Sequence, residues 1–348
     1  MARTVEYWLQ LENQPWDVCP WGADRTAGRP LAQRAGGAYR PTSRDVLIIR
    51  RYRANWAAPD DQPLNPWDLT EPAPAGRPGA LPGALLTAKV GDEIVVHFRN
   101  MDRRAGVTDA ARRHSLHPHG AQRAPIYDGA FPLTPPDPAQ DGRRGDRVAP
   151  GESFTYRWSC PQRAAAGTWL FHDGGPEGQE NTAAGAFGVL VIQAPGEQEP
   201  DAPAGPLRRD GDTTERFAAL PAPPRRTDYV LAFHELPGVG LCLNGRAGLG
   251  NTPLLVAGPE TRMTVRCVNA TAHPLAVHIG GHRWEQGSAY SDVALLPPGA
   301  GATLSILSGS AEGGGGLGEW LITGHAGNQS VSGSFVCTRG GALHLVSG

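Results

Sequence analysis

Two stretches far apart in the chain follow one plan. The first runs KVGDEIVVHFRNM, HSLHPHG, VAPGESFTYRW, then AGTWLFH ending at His172; the second runs VAGPETRMTVRCVNATAHP, LAVHIGGH, LPPGAGATLSI, then GEWLITGH ending at His325. An ordered set of strand and turn signals that recurs in this way means one domain type used twice. With 348 residues, each copy has length enough for a core of its own.

The plan is made of strands. Alternation of period two marks DEIVVHFRN (92–100), ESFTYRWSC (152–160), TRMTVRCVN (261–269) and GATLSILSG (301–309). DVLIIR, TWLFH, AFGVLVIQ, YVLAFHEL and GEWLITGH are more continuously apolar, as strands buried on both faces are. The 46 Gly and 33 Pro suit short strands and many turns better than long helices. The expected class is all-β, with strands of both kinds packed face to face into a sandwich or barrel in each of two tandem domains at 1–193 and 227–348. Residues 194–226, rich in Pro, Ala and charge, read as a linker without lasting periodicity.

A net charge of −2 gives no reason to expect nucleic acid or an anionic membrane as a partner. Neither a leader-like N-terminus nor a run near the roughly 20 apolar residues of a membrane span is apparent, so the expectation is a soluble, cytoplasmic protein. Cys19, Cys160, Cys242, Cys267 and Cys337 lack CxxC spacing and are expected to be buried thiols, with Cys267 and Cys337 as strand neighbours in one core.

Chemistry is concentrated in the histidines. His97, His234, His273 and His344 stand singly in or beside strands and read as ordinary. In HPHG an extended segment sends His117 and His119 to the same side. His172 and His325 end equivalent strands, and His278 and His282 bracket IGG. Several imidazoles without thiolates suit copper or zinc, and three of them with an open position suit catalysis better than structure.

The stretches HSLHPHG, DRVAPGESFTYRW and AGTWLFHDGGPEGQENTAAGAFGVLVI resemble the first domain of a multicopper oxidase of the ceruloplasmin-like kind, and the opening VEYWLQLENQPWDVCP fits that domain's first strand. LNGRAGLGNTPLLV, VHIGGHRW and GEWLITGH resemble the closing domain of multicopper oxidases and the second domain of copper nitrite reductases. The resemblance implies two tandem cupredoxin-like Greek-key β-sandwich domains and bound copper. It also implies that the blue type 1 copper is absent: Thr323, Gly324, His325, Gln329 and Ser334 replace the family's last ligand motif, and Ala276 and Asp173 stand at other type 1 positions.

Within the trinuclear cluster, one type 3 copper would need histidines at Gly174, Gly280 and Thr323. The other would use His119, His172 and His325, which are present, as is the type 2 pair His117 and His278. Anchoring on HPLAVH from His273 instead of VHIGGH would make His278 a leftover type 3 ligand. By similarity to nitrite reductases, His282 falls on a proton-moving histidine and His117 on the catalytic aspartate. Asp173, Glu177 and Glu180 follow a ligand directly, where they would orient imidazoles, act as bases or simply form a polar loop.

The expected activity is that of a copper-dependent oxidase or oxygenase with one or two coppers per chain, acting directly on a small organic substrate, with dioxygen or nitrite as the candidate co-substrate. Nitrite chemistry and a non-redox zinc- or copper-binding role are the alternatives. His119 and His172 come from one domain and His325 from the other, so a homotrimer that closes each site between chains is expected by resemblance.

Overall fold

The alternating segments form strands because each can turn one apolar row inward. In Glu93–Met101, Ile94, Val96 and Phe98 are fully buried, and truncating such a phenylalanine to alanine costs about 3–5 kcal/mol. The computed structural model describes residues 3–19, 23–24, 29–30, 43–60, 64–70, 81–201, 216–220 and 222–344. Among these it is nearly all β, with one short α-helix, Gly178–Ala183.

The first sandwich pairs two four-stranded sheets. One is ordered Ser153–Ser159, Glu93–Met101, Thr4–Asp17, Ser43–Tyr52; the other is ordered Leu85–Lys89, Phe187–Gln193, Gly167–His172, His117–Pro118. Each sheet contains one parallel pair.

The second sandwich repeats this scheme. One sheet is ordered Gly240–Leu243, Arg226–Leu236, Thr261–Ala270, Gly301–Ser308. The other is ordered Leu254–Ala257, Gln329–Cys337, Gly318–Ala326, Leu275–Ile279, Val293–Leu296. Its parallel pairs stand at the matching places. The repeat in the sequence is therefore a repeat in topology.

Corresponding residues do corresponding work. Asn100 and Asn269, both fully buried, each donate two hydrogen bonds to backbone carbonyls of the loops they close. The Trp169 and Trp320 indoles each donate to the carbonyl four residues earlier, Ala165 and Gly316. Each indole also packs over a glycine of positive φ, Gly120 or Gly281, where a Cβ would stand within 2.2 and 2.6 Å of the ring. Only glycine suits those two positions, on steric and conformational grounds together.

The seam between sandwiches is apolar: Leu170, Phe187, Val189 and Val191 face Val230, Ala232, Val268 and Ala270, and Thr168 and Thr303 share a hydroxyl hydrogen bond of 2.8 Å. The chain does not divide cleanly at residue 194. Trp67 and Leu69 are buried in the second core, where the Leu69 amide donates to Leu254 O at 2.9 Å.

The described parts of the expected linker are more ordered than its composition suggests. Glu197 pairs with the buried Arg266, and Arg216–Leu220 forms a two-stranded sheet with Gly341–His344. Residues 202–215 and 221 of it lie outside the described residues. All five cysteines are buried. Cys267 and Cys337 share a core, but from opposite sheets rather than as strand neighbours. No helix among the described residues is long and apolar enough to cross a membrane.

Candidate metal centre

The HPHG segment meets the end of Gly167–His172 in an antiparallel pairing that sets His117 opposite His172 and Pro118 opposite Phe171. The His119 amide donates to Leu170 O at 2.9 Å. This register collects three imidazoles, and the ligand atoms of His117, His119 and His172 lie within 4.8 Å of one another. The Nε2 atoms of His119 and His172 are 3.2 Å apart.

Backbone carbonyls choose the tautomers. His117 Nδ1–H donates to Asp128 O at 2.8 Å and His172 Nδ1–H to Asp173 O at 2.8 Å. Each bond leaves the lone pair on Nε2, the arrangement a metal-ligating histidine needs. Burial, reinforced by His172, His117 and Arg123, pushes the His119 pKa down to about 4. Burial also lowers that of His172, against the pull of the Asp173 carbonyl. Both rings are held neutral near pH 7, ready to act as ligands.

Behind them lies a polar network that no local motif in the sequence marks. His114, fully buried, donates from Nδ1 to Asp173 Oδ2 at 2.6 Å and from Nε2 to Asp102 Oδ2 at 2.9 Å. Burial alone would lower the His114 pKa, but the two carboxylates outweigh it and raise it. Burial would likewise raise Asp102 and Asp173, but His114 and nearby donors hold both below the usual carboxylate range. The Ser115 and Gly175 amides and the Asn181 side chain also donate to the Asp173 carboxylate.

Asp173 is therefore not placed as a general base. Its carboxylate is buried and saturated, and it orients His172 through its carbonyl. Glu177 accepts a hydrogen bond from the Thr108 hydroxyl at 2.8 Å, and Glu180 is exposed on the short helix.

The remaining expected ligands lie elsewhere. His325 pairs across strands with Ala276, and His278 with Thr323. Superposing this register on that of the first domain puts His325 at the place of His172, His278 at that of His119 and Ala276 at that of His117. The strand pairing thus favours the alignment from His273, and it gives His117 no histidine counterpart in domain two. His325 is exposed and His278 is half-buried, with Asp292 Oδ2 3.9 Å from its Nε2. Within one chain neither joins a group of three ligands among the described residues.

His282 turns inward. It is 1% exposed, lies edge-on to Trp320 and Phe335, and donates from Nδ1 to Gly280 O at 2.7 Å, so it is not a proton relay at the cluster.

Arg123 and Asp128, beside His117, had no signal in the sequence beyond their nearness to HPHG. A cavity of about 830 Å³ opens at the seam beside His172, lined among others by Phe131, Leu170, Glu180, Glu235 and Pro298. On its domain-two side Gly299 comes so close to His119 that a Cβ there would stand 3.1 Å from the ring.

Comparison with known proteins agrees with this geometry. The multicopper oxidase family profile matches residues 74–197. Human hephaestin is 26% identical over 229 residues, which cover 60% of this chain and 17% of hephaestin. Human ferroxidase HEPHL1 is 31% identical over 209 residues, covering 54% of this chain and 16% of that protein. The chain thus spans under a fifth of the length of these relatives.

Among solved structures, a multicopper oxidase aligns with a TM-score of 0.56 and 15% identity over 96% of this chain and 89% of its own. The copper nitrite reductase of Nitrosomonas europaea aligns with a TM-score of 0.53 and 15% identity over 97% and 95%. Residues 74–197 match the multicopper oxidase family, the chain is similar in sequence to hephaestin-like proteins, and its fold is the one seen in solved multicopper oxidases and copper nitrite reductases.

Proposed function

We propose that the protein is a copper-dependent oxidase or oxygenase whose small organic substrate meets the metal directly, at a site built on His119 and His172, without a blue copper to relay electrons. The spacing of their Nε2 atoms, 3.2 Å, carries this reading. Two nitrogens at about 2.0–2.1 Å from a tetrahedral metal stand about 3.3 Å apart. An all-imidazole donor set favours copper over harder ions. Bound there, copper would supply one-electron exchange and Lewis acidity.

The chain's own groups do the rest. The Asp128 and Asp173 carbonyls hold two imidazoles in the ligating tautomer, and the seam cavity holds the substrate beside His172. Its volume favours an organic molecule over nitrite, which would leave most of it to water.

Completion of the site falls to a second copy. His278 and His325 repeat the placement of His119 and His172 on an outer sheet face that also exposes Leu295, at 77%, and Leu321, at 47%. A face of this kind, apolar and bearing ligands, fits against the histidine face of another chain. We therefore read the assembly as a homotrimer with one site between each pair of chains.

The test is metal content and electron paramagnetic resonance of copper-loaded protein beside His172→Ala. A type 2 copper signal lost in the variant supports the reading; zinc retained against copper, or no metal at all, sinks it.

A further inference from the structure

We infer that Arg123 keeps His117 out of the metal's coordination sphere, so that each site takes a single copper. This rests on the reading that His119 and His172 hold that copper. Arg123 is fixed on three sides. Its Nε donates to Asp128 Oδ1 at 2.6 Å, its Nη1 donates to Ala121 O at 2.9 Å, and its Nη2 lies 3.5 Å from His117 Nε2. The Asp128 carbonyl has already fixed the His117 tautomer, so the atom that the guanidinium faces is the lone pair a metal would need.

Arginine stays charged and can only donate, so a metal recruited by His117 would have to displace that contact and bring two positive charges together. Asp128, which also approaches His117 Nδ1 with Oδ2 at 3.6 Å, holds the guanidinium in place against such displacement. The facing Nε2 atoms of His119 and His172 accept no guanidinium hydrogen bond among the described residues.

The repeat supplies an independent argument. Domain two offers His278 and His325 at the places of His119 and His172 but Ala276 at the place of His117. A second metal using His117 would find no matching imidazole on the opposing face. Arg123 is a positioning residue in this account: it leaves His117 beside the copper as a polar neighbour rather than a ligand.

The test is a double-mutant cycle read by copper stoichiometry, Cu(II) affinity and the nitrogen hyperfine pattern in electron paramagnetic resonance. In the otherwise unaltered protein, His119→Ala should weaken Cu(II) by at least about 100-fold, since losing a ligand costs more than losing an outer partner. His117→Ala should change affinity by less than about threefold. Arg123→Met should raise the stoichiometry toward two or add a coupled nitrogen, a gain that Arg123→Lys lacks and that His117→Ala in the Met background abolishes. Equal losses from His117→Ala and His119→Ala would overturn the inference, as would an Arg123→Met protein indistinguishable from its parent in all three readouts. If His119→Ala leaves Cu(II) affinity unchanged, the metal-site reading itself fails, and this inference with it.

Discussion

The two sandwiches are built alike, yet only one of them braces its histidines. In domain one His114 is fully buried between Asp102 and Asp173. The strand register makes His273, Thr271 and Ala326 the equivalents in domain two. With both carboxylates replaced by Thr271 and Ala326, the second imidazole has no such brace and is exposed. Burial of a charged ring needs paired, hydrogen-bonded partners, so one scaffold gives a rigid platform under His172 and an open face around His325. In the assembly proposed above, this difference becomes a division of labour: one domain presets the ligands and the other presents the docking surface.

The largest expected effect tests the brace. His114→Leu removes the cation between two buried carboxylates, leaving Asp102 with Arg104 but Asp173 with neutral donors only, and should cost about 3–5 kcal/mol, whereas His273→Leu at the exposed counterpart should stay within about 0.5 kcal/mol. Urea unfolding of both variants measures the contrast, and equal costs would break the comparison.

The brace also has a pH signature. His114 is raised in the fold, so its contribution is complete below the unfolded histidine value of about 6.5 and is lost as pH rises through the folded pKa. Asp102 and Asp173 are depressed, so theirs is present above the unfolded value of about 3.9 and is lost as pH falls through the folded ones. The stability gap between the parent and His114→Leu should be widest from about pH 4 to about pH 6.5 and should narrow above that. A flat gap from about pH 5 to about pH 9 would mean that His114 is not held as the cation.

The docking side of the comparison gives a smaller effect. Leu295→Asp with Leu321→Asp places charge on the exposed outer sheet of domain two, and sedimentation should show the assembly falling from trimer to monomer. His325→Ala should leave the assembly intact and weaken Cu(II) about tenfold or more. A parent protein that sediments as a monomer and still binds copper tightly would remove domain two from the site.

How much of this was legible in the sequence follows the same divide. Strands, the repeat and the HPHG pairing are local patterns, and the alternation around Ile94, Val96 and Phe98 reappears as buried rows. The brace is not local: Asp173 is 59 positions from His114, and its carboxyl and carbonyl serve different neighbours. Sequence alone therefore marks Asp173 as a candidate base, when its carboxylate is occupied and only its carbonyl reaches the site. IGGH is a stronger motif than HPLAVH and anchors His278 as a type 2 ligand, while strand register, a property of backbone pairing, favours the other anchor. Arg123 was invisible because its importance lies in one guanidinium nitrogen facing one lone pair.

The smallest effect contrasts two buried imidazoles directly. His282, like His114, lies in the interior, but its Nδ1–H has a single carbonyl partner and its Nε2 has none. Burial holds its pKa down, so it is neutral and supports no charge network. Replacing it with Leu forfeits one hydrogen bond, of about 1 kcal/mol, and removes an unpaired polar atom whose burial costs a similar amount. His282→Leu should therefore shift unfolding by about 1 kcal/mol or less, with copper affinity unchanged. A loss as large as that of His114→Leu would show that His282 has a partner of its own, and that domain two is braced after all.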